Sequence, residues 1–127
     1  MKENIVFTDL QWSFKREVKQ TFLRELLDYN EDMEVEEART YALASVSSRN
    51  CEIKACLTVY SSNLEWMDQE IVIKIPRLLG SVTLVDVLFR CHTLLYPFMT
   101  VYDYDSHFFE GIKVASHKNV LSLVLGS

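Results

Sequence analysis

Asp103, Asp105 and Glu110 recur inside an aromatic run, Tyr102-Asp103-Tyr104-Asp105-Ser106-His107-Phe108-Phe109-Glu110. A second set of acids, Asp28, Glu31, Asp32, Glu34, Glu36 and Glu37, crowds one ten-residue stretch. Paired carboxylates can act as general acid and base, or they can create a field that draws in cations. Catalysis would need a second group held within hydrogen-bond reach, which this spacing does not specify. If 102–110 is extended, Asp103 and Asp105 share one face and Tyr102 and Tyr104 the other. That arrangement suits a polar rim beside an aromatic anchor, because charge speeds encounter while aromatic burial dominates interface energy. The expected partner-binding centre is therefore Tyr102, Asp103, Tyr104, Asp105, His107, Phe108 and Glu110. Its rim is Glu31, Asp32, Glu34, Glu36 and Glu37, which have little apolar area around them beyond Tyr29, Met33 and Val35.

His107 has Asp105 and Glu110 close in sequence, which would raise its pKa and suit it to proton donation or metal ligation. One histidine is not an active site, and a hydrolytic zinc site normally takes three protein ligands. His117 is expected in a turn, and His92 at the edge of a helix. Cys51 and Cys56 are five residues apart on an expected strand and point to opposite faces, while Cys91 and His92 are helical neighbours that do not face each other. Packed thiols are the simplest reading of all three cysteines. No Gly-rich phosphate loop, Gly-x-Ser-x-Gly elbow or Cys-x-x-Cys pair occurs. The residues thus name no catalytic, cofactor-binding or metal site, and no cofactor is expected.

The 127 residues fit a single globular domain spanning 1–127, and the hydrophobic share of 49% is enough for a core without staples. Only three Gly and two Pro leave little material for long loops. A net charge of −5 argues against direct contact with nucleic acid, whose affinity comes largely from Lys and Arg displacing counterions. An odd count of three cysteines in apolar segments points to a reducing, cytoplasmic setting. The first residues carry no secretory pattern, and no stretch reaches the roughly 18 uncharged apolar residues needed to span a bilayer. No membrane association is expected.

These residues must be positioned by the elements around them. Residues 5–8 form a short apolar segment. Phe14, Val18, Phe22 and Leu26 then recur every fourth residue, joined by Leu23 and Leu27, which predicts an amphipathic helix ending near Tyr29 and Asn30. The acidic stretch that follows reads as a solvated loop. Residues 51–59 alternate strictly, with Ile53, Ala55 and Leu57 on one face, and predict a half-buried strand. The looser alternation of 38–47 predicts its hairpin partner. Ile71, Ile73 and Ile75 predict a strand ended by Pro76. Gly80 and Ser81 introduce a second, more buried helix over 83–96 that Pro97 should end. Residues 112–115 and 120–125 predict a terminal hairpin around 116–119. The fold class expected is α+β: a twisted antiparallel sheet with two main helices packed on one face.

A small acidic α+β domain that lacks a reaction motif and mixes acids with aromatics resembles the bacterial immunity proteins of contact-dependent growth inhibition and other polymorphic toxin systems. His107-Phe108-Phe109-Glu110-Gly111, leading into an apolar hairpin that closes with Leu121-Ser122-Leu123-Val124-Leu125-Gly126-Ser127, looks like the end of some such domains. The resemblance implies a chain that is not an enzyme and whose partner is a cognate toxin domain, often a cationic nuclease. It would block the toxin's active site or substrate groove, with acids standing in for phosphates and Tyr102, Tyr104, Phe108 or Phe109 as anchors. Two other classes remain open at this point. One is a small enzyme or ligand-binding domain with a pocket between sheet and helices, its mouth at His107, Asp105 and Glu110. The other is an adaptor subunit whose apolar face assembles with itself.

Overall fold

The computed structural model describes residues 4–60, 63–114 and 121–127. The chain runs β1 (Asn4–Val6), α1 (Phe22–Tyr29), α2 (Val35–Ala42), β2 (Ser45–Ser47), β3 (Cys51–Tyr60), β4 (Trp66–Ile75), β5 (Val82–Thr83), α3 (Leu84–Val101), β6 (Phe108–Val114) and β7 (Leu121–Gly126). Five strands form one sheet in the order β1-β6-β7-β3-β4, and β2 pairs with β5 in a small second sheet. The fold is α+β, as the patterning requires. The large sheet is mixed and not purely antiparallel, because β7 lies parallel to β3 through Ile53 and Leu121.

The clearest periodicity is realised without slippage. Ile53, Ala55 and Leu57 are buried along β3 while Glu52, Cys56 and Thr58 are exposed, and β3 pairs with β4 from Cys51 opposite Ile75 to Tyr60 opposite Trp66. Ile73 and Ile75 join the same core as Leu84, Leu88, Leu95, Leu26, Ala38 and Ala42, so the large sheet and the three helices share one core, with α3 packed on β4 and α1 and α2 packed on α3. The terminal strands pair antiparallel from Phe108 opposite Gly126 to Val114 opposite Leu121. The expected turn 116–119, with His117, lies outside the described residues.

The first expected helix is half right. Only Phe22–Tyr29 is helical; residues 11–13 instead run beside β6, with Ser13 bridged to Phe108, and the chain turns at 14–15, with Leu10, Trp12 and Phe14 buried and Gln11 exposed. Its backbone is claimed by β6: Phe109 N–H donates to the Trp12 carbonyl and Phe14 N–H to the His107 carbonyl, both at 2.8 Å. The four-residue spacing of Phe14, Val18 and Phe22 satisfied a helix template, but pairing with a neighbouring strand won. Gly111 shows how closely the N-terminal segment lies on β6. Its φ is +128°, and a Cβ there would come within 2.9 Å of the Val6 carbonyl oxygen.

Three further expectations give way. Residues 35–42 are helix, not loop or strand, because Ala38 and Ala42 fall four apart on the buried side. Glu36 and Glu37 in its first turn and Arg39 in its last suit the helix dipole. β2 consequently pairs with β5, not with β3. Pro97 does not end α3. The helix begins on a capping box, with Thr83 Oγ1 accepting from Asp86 N–H and the Asp86 carboxylate accepting from Thr83 N–H at 2.9 Å. It then runs to Val101. The Thr93 carbonyl that Pro97 cannot serve lies on the exposed side, where water can reach it, and Met99 beyond the proline is fully buried. Burial of such a side chain, about 1.5–3 kcal/mol, offsets the roughly 3 kcal/mol that an interior proline costs. By length and composition α3 could cross a membrane, yet seven of its residues sit in the core.

His92 lies inside the core, not at a helix edge. It is 7% exposed, and its Nδ1 accepts from the indole N–H of Trp12 at 3.2 Å. Phe22 and Tyr29 pack their rings on Trp12 at 4.8 and 5.5 Å. Burial pushes the imidazole down to about 4, outweighing the Arg16 carbonyl and the Glu25 carboxylate, which both pull it up. The folded value is below the ordinary 6.5, so the unfolded chain takes up this proton first as pH falls. The stability His92 contributes is whole above pH 6.5 and is lost as pH drops from there towards 4. Chemical-denaturation midpoints should fall between pH 7 and pH 5, and the fall should be shallower in His92→Gln, measured beside His107→Gln because that ring is depressed in the same direction. Equal slopes in wild type and His92→Gln would show that the core histidine is not the sensor.

Candidate functional site

Among the described residues β3 pairs with β7 only at Ile53 and Lys54, so beyond Lys54 the edge of β3 that faces away from β4 is unpaired. At Thr58 no described strand fills that ladder position. The hydroxyl of Tyr104 fills it instead, accepting from Thr58 N–H at 2.7 Å. That bond draws the exit of α3 against the end of β3 and β4.

The exit itself is a helix stop built without glycine. Tyr102 N–H donates to the Phe98 carbonyl and Tyr104 N–H to the Met99 carbonyl, at 3.1 and 3.0 Å. Asp103 between them takes φ +47°, the left-handed conformation that closes such a stop and that Asp tolerates better than most residues. Phe98 and Tyr104 make the apolar contact that accompanies this motif, ring centres 5.3 Å apart, and Phe98 also packs on Tyr102 at 4.8 Å. The expected extended run over 102–106 is therefore a turn, and its acids and tyrosines do not alternate across two faces.

Between the two walls lies a cleft of about 360 Å³. One wall is Thr58, Val59, Tyr60 and Trp66; the other is Phe98 and residues 102–106. Tyr60 and Trp66 are directly opposite across β3 and β4, with ring centres 5.0 Å apart. Trp66, Tyr102 and Tyr60 are 71, 65 and 53% exposed, although they are among the largest apolar surfaces in the chain. Two carboxylates, Asp103 and Asp105, share the lining, which has no basic residue among the described residues. Lys15 reaches Asp103 from outside at 2.6 Å, and this contact holds the Asp103 carboxyl below its usual value.

Of the expected binding centre, Tyr102, Asp103, Tyr104 and Asp105 converge here. His107 does not line this cleft. Its Nδ1 is hydrogen-bonded to Ser13 Oγ at 2.7 Å, and the same hydroxyl oxygen accepts from Lys15 N–H. Burial and the Lys15 ammonium lower its pKa, outweighing Asp103 and Asp105, so the expected upward shift is reversed. Ser13 is only 7% exposed, which makes this pair a clasp between the N-terminal segment and β6. Phe108 and Glu110 line a different, open groove with Ile5, Thr8 and Ser127, and Phe109 is buried core. The Glu110 carboxyl packs over Gly126, at the bulge where Phe109 and Gly111 shift register against β7.

The acids Glu31, Asp32, Glu34, Glu36 and Glu37 are exposed, the last three at the N-terminal end of α2. They line neither this cleft nor that groove. Among the described residues no group of three His, Cys, Asp or Glu is placed to hold a metal. Tyr60, Trp66 and Phe98 were missed from the sequence. Tyr60 stood at the end of the strand expected over 51–59, but Trp66 lay before the strand expected at Ile71, Ile73 and Ile75, so their pairing was not visible; Phe98 was hidden behind Pro97.

No family model matches the chain, and no match is found among curated proteins or solved structures.

The Tyr104 hydroxyl can be tested as the latch of this cleft. Tyr104→Phe should cost about 0.5–1.5 kcal/mol, the net worth of one hydrogen bond, in chemical denaturation. Exchange of the Thr58 amide should accelerate by roughly the corresponding factor, up to about tenfold. An unchanged Thr58 exchange rate would mean that the hydroxyl does not hold the two walls together.

Proposed function

We propose that this chain is an immunity-type inhibitor, which acts in the cytoplasm by binding a cationic toxin domain, of which a nuclease is the leading case, and covering its active site or substrate groove. The observation that carries this reading is the cleft in which exposed Tyr60, Trp66 and Tyr102 stand beside Asp103 and Asp105, with no basic residue in the lining among the described residues. Exposed aromatics next to fixed negative charge match what an interface core needs: area to desolvate, and a field that orients the partner. The net charge of −5 extends that field over the whole molecule. The exposed acids of α2 add to it at longer range.

A hydrolytic reading of the His107 region has less support. The Ser13 hydroxyl bonded to that ring is buried, and the imidazole carries a depressed pKa from burial beside Lys15. Binding through the cleft uses surfaces that are already open, whereas chemistry at Ser13 would require the N-terminal segment to leave β6.

The test is neutralisation. The C-terminal domain of a large toxin encoded by an adjacent reading frame, induced in a bacterial host, should arrest growth alone and not when this chain is co-expressed. Asp103→Ala with Asp105→Ala should weaken the isolated complex by more than about tenfold, chiefly through faster dissociation, whereas replacing Glu34, Glu36 and Glu37 should mainly slow association. Association of the wild type should also slow as salt rises, since screening shortens the reach of charge to about 10 Å at 0.1 M. Growth arrest that persists with soluble, folded chain present would overturn the reading.

A further inference from the structure

We infer that the cleft between the β3–β4 end and the exit of α3 is a socket for one arginine side chain of the partner protein. The inference rests on the binding reading above and adds the chemistry of what enters. Tyr60 and Trp66 meet at an interplanar angle of 59°, a tilted contact that leaves ring faces uncovered, and both rings are more than half exposed. Ring faces carry the negative end of the aromatic quadrupole, so open faces attract cations. Among the described residues the same lining holds two carboxylates and no basic side chain, the Lys15 ammonium meeting Asp103 from outside it. An anion or a neutral apolar group would therefore meet an unfavourable or indifferent field.

The two carboxylates are not equivalent. Asp103 is already paired with Lys15 at 2.6 Å, whereas Asp105 is exposed and has no ion-pair partner among the described residues. Asp105 is the acceptor left for an incoming group. A guanidinium suits this combination better than an ammonium. It is planar and weakly hydrated, so it can stack on an indole or phenol while its edge offers two N–H donors to one carboxylate. A lysine ammonium is a compact, strongly hydrated point charge that could use the carboxylate but gains less from stacking.

The experiment uses the intact chain and three short blocked peptides, identical except for a central arginine, lysine or citrulline, whose urea group has the shape of guanidinium without its charge. The reporter is the indole N–H of Trp66 in two-dimensional NMR, with buried Trp12 as internal control. The arginine peptide should move the Trp66 signal saturably, with a dissociation constant on the order of 1 mM, while Trp12 stays in place. The citrulline peptide should bind about tenfold more weakly or not at all, and lysine should fall between. Asp105→Asn should weaken the arginine response, and Trp66→Leu, a change at an exposed side chain, should remove the accompanying shifts of the Tyr102 and Tyr104 amides. No saturable shift, or equal shifts for arginine and citrulline, overturns the socket. Full growth protection by Trp66→Leu would likewise sink the socket while leaving inhibition standing. Arginine binding in a chain that neutralises no toxin would uphold the socket and reject inhibition.

Discussion

The fold depends on the burial of Trp12 with its indole N–H satisfied by His92. An indole in a dry core needs an acceptor, since an unmade hydrogen bond there costs about 1–3 kcal/mol. The neutral imidazole supplies one from the inner face of α3, 80 residues away. Truncating a fully buried Trp costs about 3–5 kcal/mol, a large share of the stability of a domain this size. The contact also fixes geometry. It holds the segment around Trp12 between α3 and β6, where Phe22 and Tyr29 of α1 close over the same ring.

That placement organises the surface by a short chain of contacts. With Trp12 and Phe14 anchored, Ser13 reaches His107 and Lys15 reaches Asp103. Both partners lie in the segment joining α3 to β6, so the N-terminal segment steadies the loop that carries the cleft's acids. The far wall is set independently by the register of β3 against β4, which puts Tyr60 opposite Trp66. The Tyr104 hydroxyl on Thr58 N–H joins the two walls. Acids elsewhere have local duties: Glu25 accepts from Lys19 N–H, Gln20 and Arg16, and Glu36 and Glu37 sit where the α2 dipole favours negative charge.

The acidic and aromatic character of the run 102–110 was a poor guide to where its residues sit. The run 102–110 divides between a cleft, a clasp and the core. Phe108 and Phe109 are sequence neighbours on a strand and must face opposite ways; one is 37% exposed and the other 4%. Asp103 and Asp105 stay together because the chain turns at Asp103 before it becomes extended.

What the sequence determined by itself is local and periodic. Strict alternation over 51–59 and in 71–75 specified strands and their inner faces, since a shift of one residue would expose every isoleucine. Gly80 and Ser81 ahead of the apolar residues from 83 onward specified a helix start, and the terminal apolar segments specified a pair. These follow from steric and hydrogen-bonding rules that act within a few residues. The tertiary structure alone decided the rest. Residues 12–14 leave the helix because His107 and Phe109, near the other end of the chain, offer them backbone partners, a competition that a four-residue spacing of Phe14, Val18 and Phe22 cannot reveal. The sheet is mixed because β7 enters beside β3, and α3 continues through Pro97 because Met99 has a core to enter. The cleft exists because Tyr60, Trp66 and Phe98, which drew no notice in the sequence, share one corner with residues 102–106 only after the sheet and α3 have packed.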